Sequence, residues 1–479
     1  MSDRGGSLGR RERQGTGVAE GSTETVFVEA SRPTGWLSGV WTNPRLRGEV
    51  LWVLSEKLVS FVLVFVSVKL LTGLMGREVY GEFTLILTAF ALLHDILIVP
   101  ASQSYLRYHH TAEQKGLLRP ARLWVMRWYL VVTLTVCGVG LVLTRQFSRW
   151  FDLGPWSAAA AGIFFLAGSW RLLGTEVINL KRQRKSFALQ SIGFLLACPV
   201  FVCLFLICFG VSAGLAVTGQ AVAAFLFAAL ALRPFLKGTF AAPAVSGENE
   251  MGRLVWTFGL PYAALLSFQW VQSFADRYIV CGFLGWKDAG LYAAAFQVSG
   301  VPFMLLLTLL SSLAIPVAYQ RAKDVSDGRQ LRSANRVLGA ALLLYVLAGG
   351  VMVIPYAFWG GRLLHLLTTR DFDLGNSTMA VIAVGRYVQN MALLLQFFYA
   401  VQQKMWASMT LRAIGAFAVL PICWITVGSY GLFGAALGSF LGAVLYAVLL
   451  VFAPGGVLWL VRGSRVPDRA ASAMDEVSP

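Results

Sequence analysis

The chain has 479 residues, of which 57% are apolar and only 13% charged, and its mean hydropathy is +0.66. Those values exclude an ordinary soluble domain and predict an integral membrane protein. The net charge of +16 does not argue for nucleic acid, because the basic residues are spread over many loops and never collected on one soluble domain.

Residues 1–49 are polar and rich in Gly, Ser and Arg, with no apolar core segment or cleavage pattern of a signal peptide, so they read as a retained, disordered tail. Twelve apolar runs follow, at about 51–74, 82–103, 123–144, 156–178, 187–209, 213–233, 254–281, 289–318, 337–358, 378–401, 407–427 and 431–459. As helices each crosses a hydrocarbon core of about 30 Å. A β-barrel needs alternation within strands of about ten residues, which these continuous runs lack. The expected organisation is a tail (1–49), a six-helix bundle (50–233), a linker (234–253), a second six-helix bundle (254–460) and a tail (461–479).

Of the 40 Lys and Arg, 28 fall in the termini and the loops after even-numbered runs, with Arg233 and Arg412 near run ends assigned to those loops, and 6 in the other loops. The segment KRQRK, Lys181–Lys185, is the sharpest case. The positive-inside rule therefore predicts that both termini and the even loops are cytoplasmic.

One turn is written twice. GLMGREVYGEF (73–83) and GFLGWKDAGLY (282–292) carry glycines at Gly73, Gly76, Gly81 and at Gly282, Gly285, Gly290, each with an aromatic two residues later. Each copy closes the first hairpin of a six-helix half. An even number of crossings separates them, so the halves form a parallel repeat about an axis along the membrane normal. GVSAGLA (210–216) and GSYGLFGA (428–435) occupy a second pair of equivalent slots.

The chain here resembles the bacterial polysaccharide and O-antigen flippases, within the superfamily that also holds multidrug extruders and the lipid II flippase. The resemblance rests on LLTGLMGREVYGEF after the first run, GLP at Gly259–Pro261, ADRYIVCGFLGWKDAGLYAAAFQV at 275–298 and AIPVAYQR ending the eighth run. It implies translocation of an undecaprenyl-diphosphate-linked oligosaccharide across the bacterial inner membrane by alternating access, for O-antigen, capsule or exopolysaccharide synthesis. It also implies membrane lipid, a polysaccharide polymerase and glycosyltransferases as partners. The lipid II members have fourteen crossings, which sets this chain apart from that branch.

Charges inside the runs mark functional positions, because each is costly in hydrocarbon unless it faces water or a counter-ion. The cations are Lys57, Lys69, Arg127, Arg171, Arg277 and Arg386. Lys69 and Arg127 lie near helix ends, where long side chains snorkel. Lys57 and Arg171 in the first half, and Arg277 and Arg386 in the second, are candidates to grip a diphosphate, Arg with a bidentate fork. Trp170, Trp270 and Gln269, with Gln272, are candidates for contact with sugar, although packing or lipid contact is equally consistent. The acids Glu56, Asp95 and Asp276 suit either proton or sodium coupling or interhelical ion pairs, and Glu176 lies near the cytoplasmic interface. Adjacent helical residues project about 100° apart, so neither Glu56 and Lys57 nor Asp276 and Arg277 are expected to pair directly.

Other chemistry is poorly supported. Cys137, Cys198, Cys203, Cys208, Cys281 and Cys423 lie in or beside apolar runs without metal-ligand spacing, and the four histidines outline no zinc site. No nucleotide-binding GxxxxGK[ST] motif occurs, and no cofactor is expected. Asp371–Asp373, DFD, is the single support for a membrane glycosyltransferase or polymerase, and its loop is too short for a donor site. A multidrug antiporter for cations would favour an acid-lined path, whereas these runs hold more cations than acids.

Overall fold

The computed structural model describes residues 44–142, 155–236, 252–253, 255–322, 327–453 and 456–458. The expected tails and most of the linker lie outside these residues, except that the first helix starts at Pro44, within the segment read as tail. Proline suits a first helical position, since its missing N–H would be unpaired there anyway.

The protein is an all-α, polytopic membrane protein. Its helices are α1 (Pro44–Leu97), α2 (Val99–Gln114), α3 (Leu118–Val142), α4 (Pro155–Leu180), α5 (Arg184–Phe209), α6 (Ala213–Leu236), α7 (Leu260–Leu284), α8 (Trp286–Arg321), α9 (Gly328–Leu367), α10 (Asn376–Val401) and α11 (Met405–Phe452). A short π turn, Val255–Gly259, leads into α7. Nine of the described helices are long and apolar enough to span a bilayer. Two of them, α1 and α11, are each two helices joined at Gly76 and Gly431. Among the described residues α7 adds a further crossing, and it falls outside those nine because Gln269, Gln272, Asp276 and Arg277 interrupt its apolar sequence.

The duplication is visible in the backbone. Gly76 and Gly285, 209 residues apart, both have positive φ, at 65° and 88°. Gly210 and Gly431, 221 apart, have φ of 106° and 58°. Arg182 and Gln403, also 221 apart, are the two non-glycine residues with positive φ among those described, at 57° and 58°. Three turns of each half thus share a left-handed residue that L side chains adopt only at a cost. They also define two ends of the molecule: a glycine end with Gly76, Gly210, Gly285 and Gly431, and a basic end with Lys115, Lys181–Lys185 and Lys404.

The repeat axis passes where the two halves touch. A Cβ on Gly81 would lie 2.9 Å from the Gly290 nitrogen, and one on Gly290 would lie 2.9 Å from the Gly81 nitrogen. Each would also collide with the carbonyl four residues before its partner, at Trp286 and Arg77 respectively. These atoms are exchanged by the 209-residue offset, so the contact is isologous, the same patch on both sides. Glycine is required because the backbones themselves meet.

Around this crossing one apolar core joins both halves. It holds Val68, Met75, Tyr80 and Phe83 from α1, Val202 and Leu206 from α5, Val280 from α7, Tyr292 and Phe296 from α8, and Phe372 before α10. Toward the basic end the described core divides. Ile98, Tyr105, Val125, Tyr129, Val177 and Phe235 form a cluster wholly in the first half. Ala318, Leu331, Leu338, Leu395, Tyr399 and Leu450 form another wholly in the second. The halves are therefore sealed at the glycine end and part toward the basic end, apart from a crossing where Gly259 meets Pro100 and Ser104 of α2.

Candidate functional site

The polar residues of α7 lie at helical spacing, Gln269, Gln272, Ser273, Asp276 and Arg277, and so form a stripe along the helix. At its glycine-end limit the structure brings together two of the sequence-derived cations. The Arg277 guanidinium carbon lies 4.7 Å from the ring centre of Phe296 in α8 and 5.0 Å from that of Phe274. The Arg386 guanidinium of α10 lies 4.3 Å from the same Phe296 ring. One aromatic ring therefore carries two cations, and the Nε of each is buried without a hydrogen-bond partner.

Arg386 is aimed by a relay. Its Nη1 donates to Gln389 Oε1, while Gln389 Nε2 donates to Ser273 Oγ at 2.9 Å and to the Gln272 carbonyl at 3.2 Å. Gly300 leaves the room, since a Cβ there would sit 2.8 Å from Arg386 Nε.

Asp276 is the acid nearest this pair in sequence, and its oxygens are already engaged. Tyr292 donates to Oδ2 at 2.7 Å, Ser439 of α11 donates to the same oxygen, and the Arg277 backbone N–H donates to Oδ1 at 2.9 Å. In line with the expected angular separation, Asp276 receives the Arg277 amide rather than clasping its guanidinium. One carboxylate beside two guanidiniums leaves an uncompensated positive charge at low dielectric, which an incoming anion would offset. Cation–π contact, worth about 0.5–2 kcal/mol each, supports the arginines without neutralising them.

Sequence reasoning misses Arg412, because it lies near the start of the eleventh apolar run, where its charge reads as part of the preceding loop. In the structure it is 1% exposed. Its Nη1 donates to Gln269 Oε1 at 2.7 Å, its Nη2 to Gln396 Oε1 and its Nε to Tyr446 Oη at 3.1 Å. Gln269 is thus committed to α11, and four crossings are tied through one guanidinium held by neutral partners. Arg412→Ala should leave these partners unpaired and lower stability by about 3 kcal/mol. Arg412→Lys should recover little of it, because an ammonium cannot present the fork. Thermal unfolding of the detergent-purified variants checks both, and an unchanged midpoint would count against the network.

The remaining candidates have separate surroundings. Contrary to the adjacent-residue argument, Lys57 Nζ lies 3.0 Å from Glu56 Oε2, because a four-carbon chain bends back across the 100° that separates the Cβ directions. Ser60 donates to Glu56 Oε1 at 3.3 Å. Arg171 stacks 3.7 Å above Phe194 of α5, and its neighbour Trp170 packs 5.0 Å from Tyr129. Trp270 is buried and donates its indole N–H to the Thr88 carbonyl at 2.7 Å, joining the two halves. Asp95 faces His94, with Oδ1 3.5 Å from Nδ1, and Gln103 reaches Glu176 at 3.4 Å. Lys69 donates to the Leu366 carbonyl. In the DFD loop, Phe372 is buried edge-on against Tyr80 and Asp373 lies 3.1 Å from His365.

The repeat offsets carry Arg277, Arg386 and Arg412 to Val68, Phe165 and Ser191. This assembly of three arginines therefore belongs to the second half alone. Symmetry supplies the frame and asymmetry the chemistry.

No protein-family model matches the sequence, and comparison with curated proteins finds no match. Solved structures do match in fold. An inward-facing multidrug resistance MATE family transporter of the MOP superfamily aligns over 88% of this chain and 96% of its own, with a TM-score of 0.62 and 15% identity. A MOP superfamily transporter from Pyrococcus furiosus, described as having a binding pocket of reverse polarity, aligns over 87% and 94%, with a TM-score of 0.62 and 13% identity. The lipid II flippase MurJ in an inward closed conformation aligns over 90% and 93%, with a TM-score of 0.64 and 11% identity. This chain shares its fold with these three structures.

Proposed function

We propose that the protein is a flippase for a polyprenyl-diphosphate-linked oligosaccharide, moving it across a bacterial inner membrane by alternating access. The carrying observation is the Arg277–Phe296–Arg386 assembly, one buried and one half-buried cation on a single ring beside one engaged carboxylate. A cationic drug would be repelled by such a site, whereas a diphosphate offers two anionic groups to two guanidiniums. In this reading the hydrated glycan passes along the polar stripe of α7, while the polyprenyl tail stays in lipid. In this scheme the diphosphate first meets Lys57 and Arg171 and then passes to Arg277 and Arg386. Asp95, Asp276 or Glu56 would couple the cycle to a proton or sodium ion.

The sidedness follows from the basic loops, with the basic end cytoplasmic. Reporter fusions at residues 183, 243 and 328 should all report cytoplasm. One external signal would break the assignment.

Cargo class is tested by measuring surface glycan and cationic dye efflux in one strain carrying wild type, Asp95→Asn or Asp276→Asn. The flippase reading expects glycan display to depend on the protein and dye efflux to be independent of it. Dye efflux that requires the protein and stops in either Asn variant would instead favour a multidrug antiporter.

A further inference from the structure

The run Lys181–Lys185 is explained only in part by topology. Its repeat counterpart, the turn at Gln402–Lys404, carries one cation and orients an equivalent hairpin. Four cations in five residues exceed what that turn needs, and they sit on a fixed scaffold. Arg182 takes positive φ, its amide donates to the Asn179 carbonyl at 2.9 Å, and the Gln183 amide donates to the Ile178 carbonyl at 3.2 Å. Arg184 is tied back to the Asn179 side chain. Lys181, Arg182 and Lys185 remain exposed.

Lys185 Nζ lies 5.9 Å from the ring centre of Trp52, which places the basic end of α5 beside α1. From that point two apolar stripes run toward the glycine end on exposed faces. One comprises Leu54, Leu58, Val62 and Val66 of α1, and the other Leu189, Leu196, Val200 and Leu204 of α5. Both helices contribute to the same core lower down, through Val64, Phe65, Val202 and Leu206. An amphipathic indole at the head of apolar stripes is an interfacial anchor, and the ammonium beside it sits at headgroup depth.

We propose that Lys181, Arg182, Lys185 and Trp52 form a docking site for the headgroup of an anionic phospholipid whose acyl chains lie along α1 and α5. The occupant follows from complementarity: phosphate and glycerol meet cations and the indole, and acyl chains meet the stripes. A basic residue at an anionic lipid surface contributes roughly fivefold to partition, so three together contribute on the order of a hundredfold. This site is distinct from Arg277 and Arg386, and its success or failure leaves the cargo assignment standing.

The test uses delipidated full-length protein in detergent, with unfolding temperature followed while phosphatidylglycerol or phosphatidylcholine is titrated in. Wild type should be stabilised at a far lower fraction of phosphatidylglycerol than of phosphatidylcholine. The combined Lys181→Gln, Arg182→Gln, Lys185→Gln variant should need on the order of a hundredfold more phosphatidylglycerol, while Lys404→Gln should match wild type. If the combined variant does not insert, Lys185→Gln and Trp52→Leu carry the test, each weakening the response several-fold. Equal responses to both lipids in wild type, or a wild-type response in the combined variant or in both single variants, would overturn the proposal. So would the same stabilisation by millimolar inorganic phosphate alone, which would mark a site for a free anion.

Discussion

Arg277→Ala and Arg386→Ala should each abolish surface glycan while the protein still inserts and accumulates. Either change leaves a single guanidinium on Phe296, so the diphosphate would lose one of its two partners and a hydrogen-bonded charge contact of about 1.5–3 kcal/mol. Loss is expected to exceed tenfold. Lys at either position should rescue partially, since it keeps the charge without the bidentate fork. Substituting Lys69, which reaches the Leu366 carbonyl, should matter less. Glycan display is read on the cell surface and protein abundance in the membrane fraction. Normal display by both Ala variants, at normal abundance, would sink this mechanism.

Gly81→Val should stop transport by disfavouring the state seen here. The added Cβ would meet the Gly290 backbone, which cannot rotate away as a side chain could. Overpacking of this kind costs about 1–3 kcal/mol, which shifts a two-state equilibrium roughly five- to a hundredfold away from the arrangement closed at the glycine end. In a background lacking the six native cysteines, a reporter at Phe83, 2% exposed in the shared core, reads the shift. A membrane-impermeant maleimide should label Phe83→Cys at least about fivefold faster when Gly81→Val is present. Unchanged labelling would mean that the crossing is packing and not a gate.

These outcomes turn on features of differing visibility in the sequence. Gly76, Gly81, Gly285 and Gly290 were legible because a left-handed turn and a backbone crossing both exclude a side chain, and that exclusion leaves glycine at a fixed spacing. The equivalent turn at Arg182 and Gln403 left no such mark, since neither residue type announces positive φ. Arg277 and Arg386 stand out as charges deep in apolar runs, but their convergence on Phe296 cannot be read, because α10 lies far along the chain from the consecutive pair α7 and α8 and no local pattern tells which of its faces meets them. Asp276 was visible, whereas the cage was not: Ser439 lies 163 residues away. Arg412 was hidden by its place near a run boundary, where hydropathy cannot separate a buried cation from a loop charge. The Glu56–Lys57 pair shows the limit of reasoning from Cβ directions alone for a long side chain.

The most direct measurement is translocation in proteoliposomes containing only this protein and a fluorescent polyprenyl-diphosphate oligosaccharide, followed by the fraction accessible to a membrane-impermeant quencher. The account predicts that wild type makes lipid from the inner leaflet accessible and that the Arg277→Ala, Arg386→Ala double variant does so at the rate of protein-free vesicles. Equal rates for wild type and the double variant would contradict it.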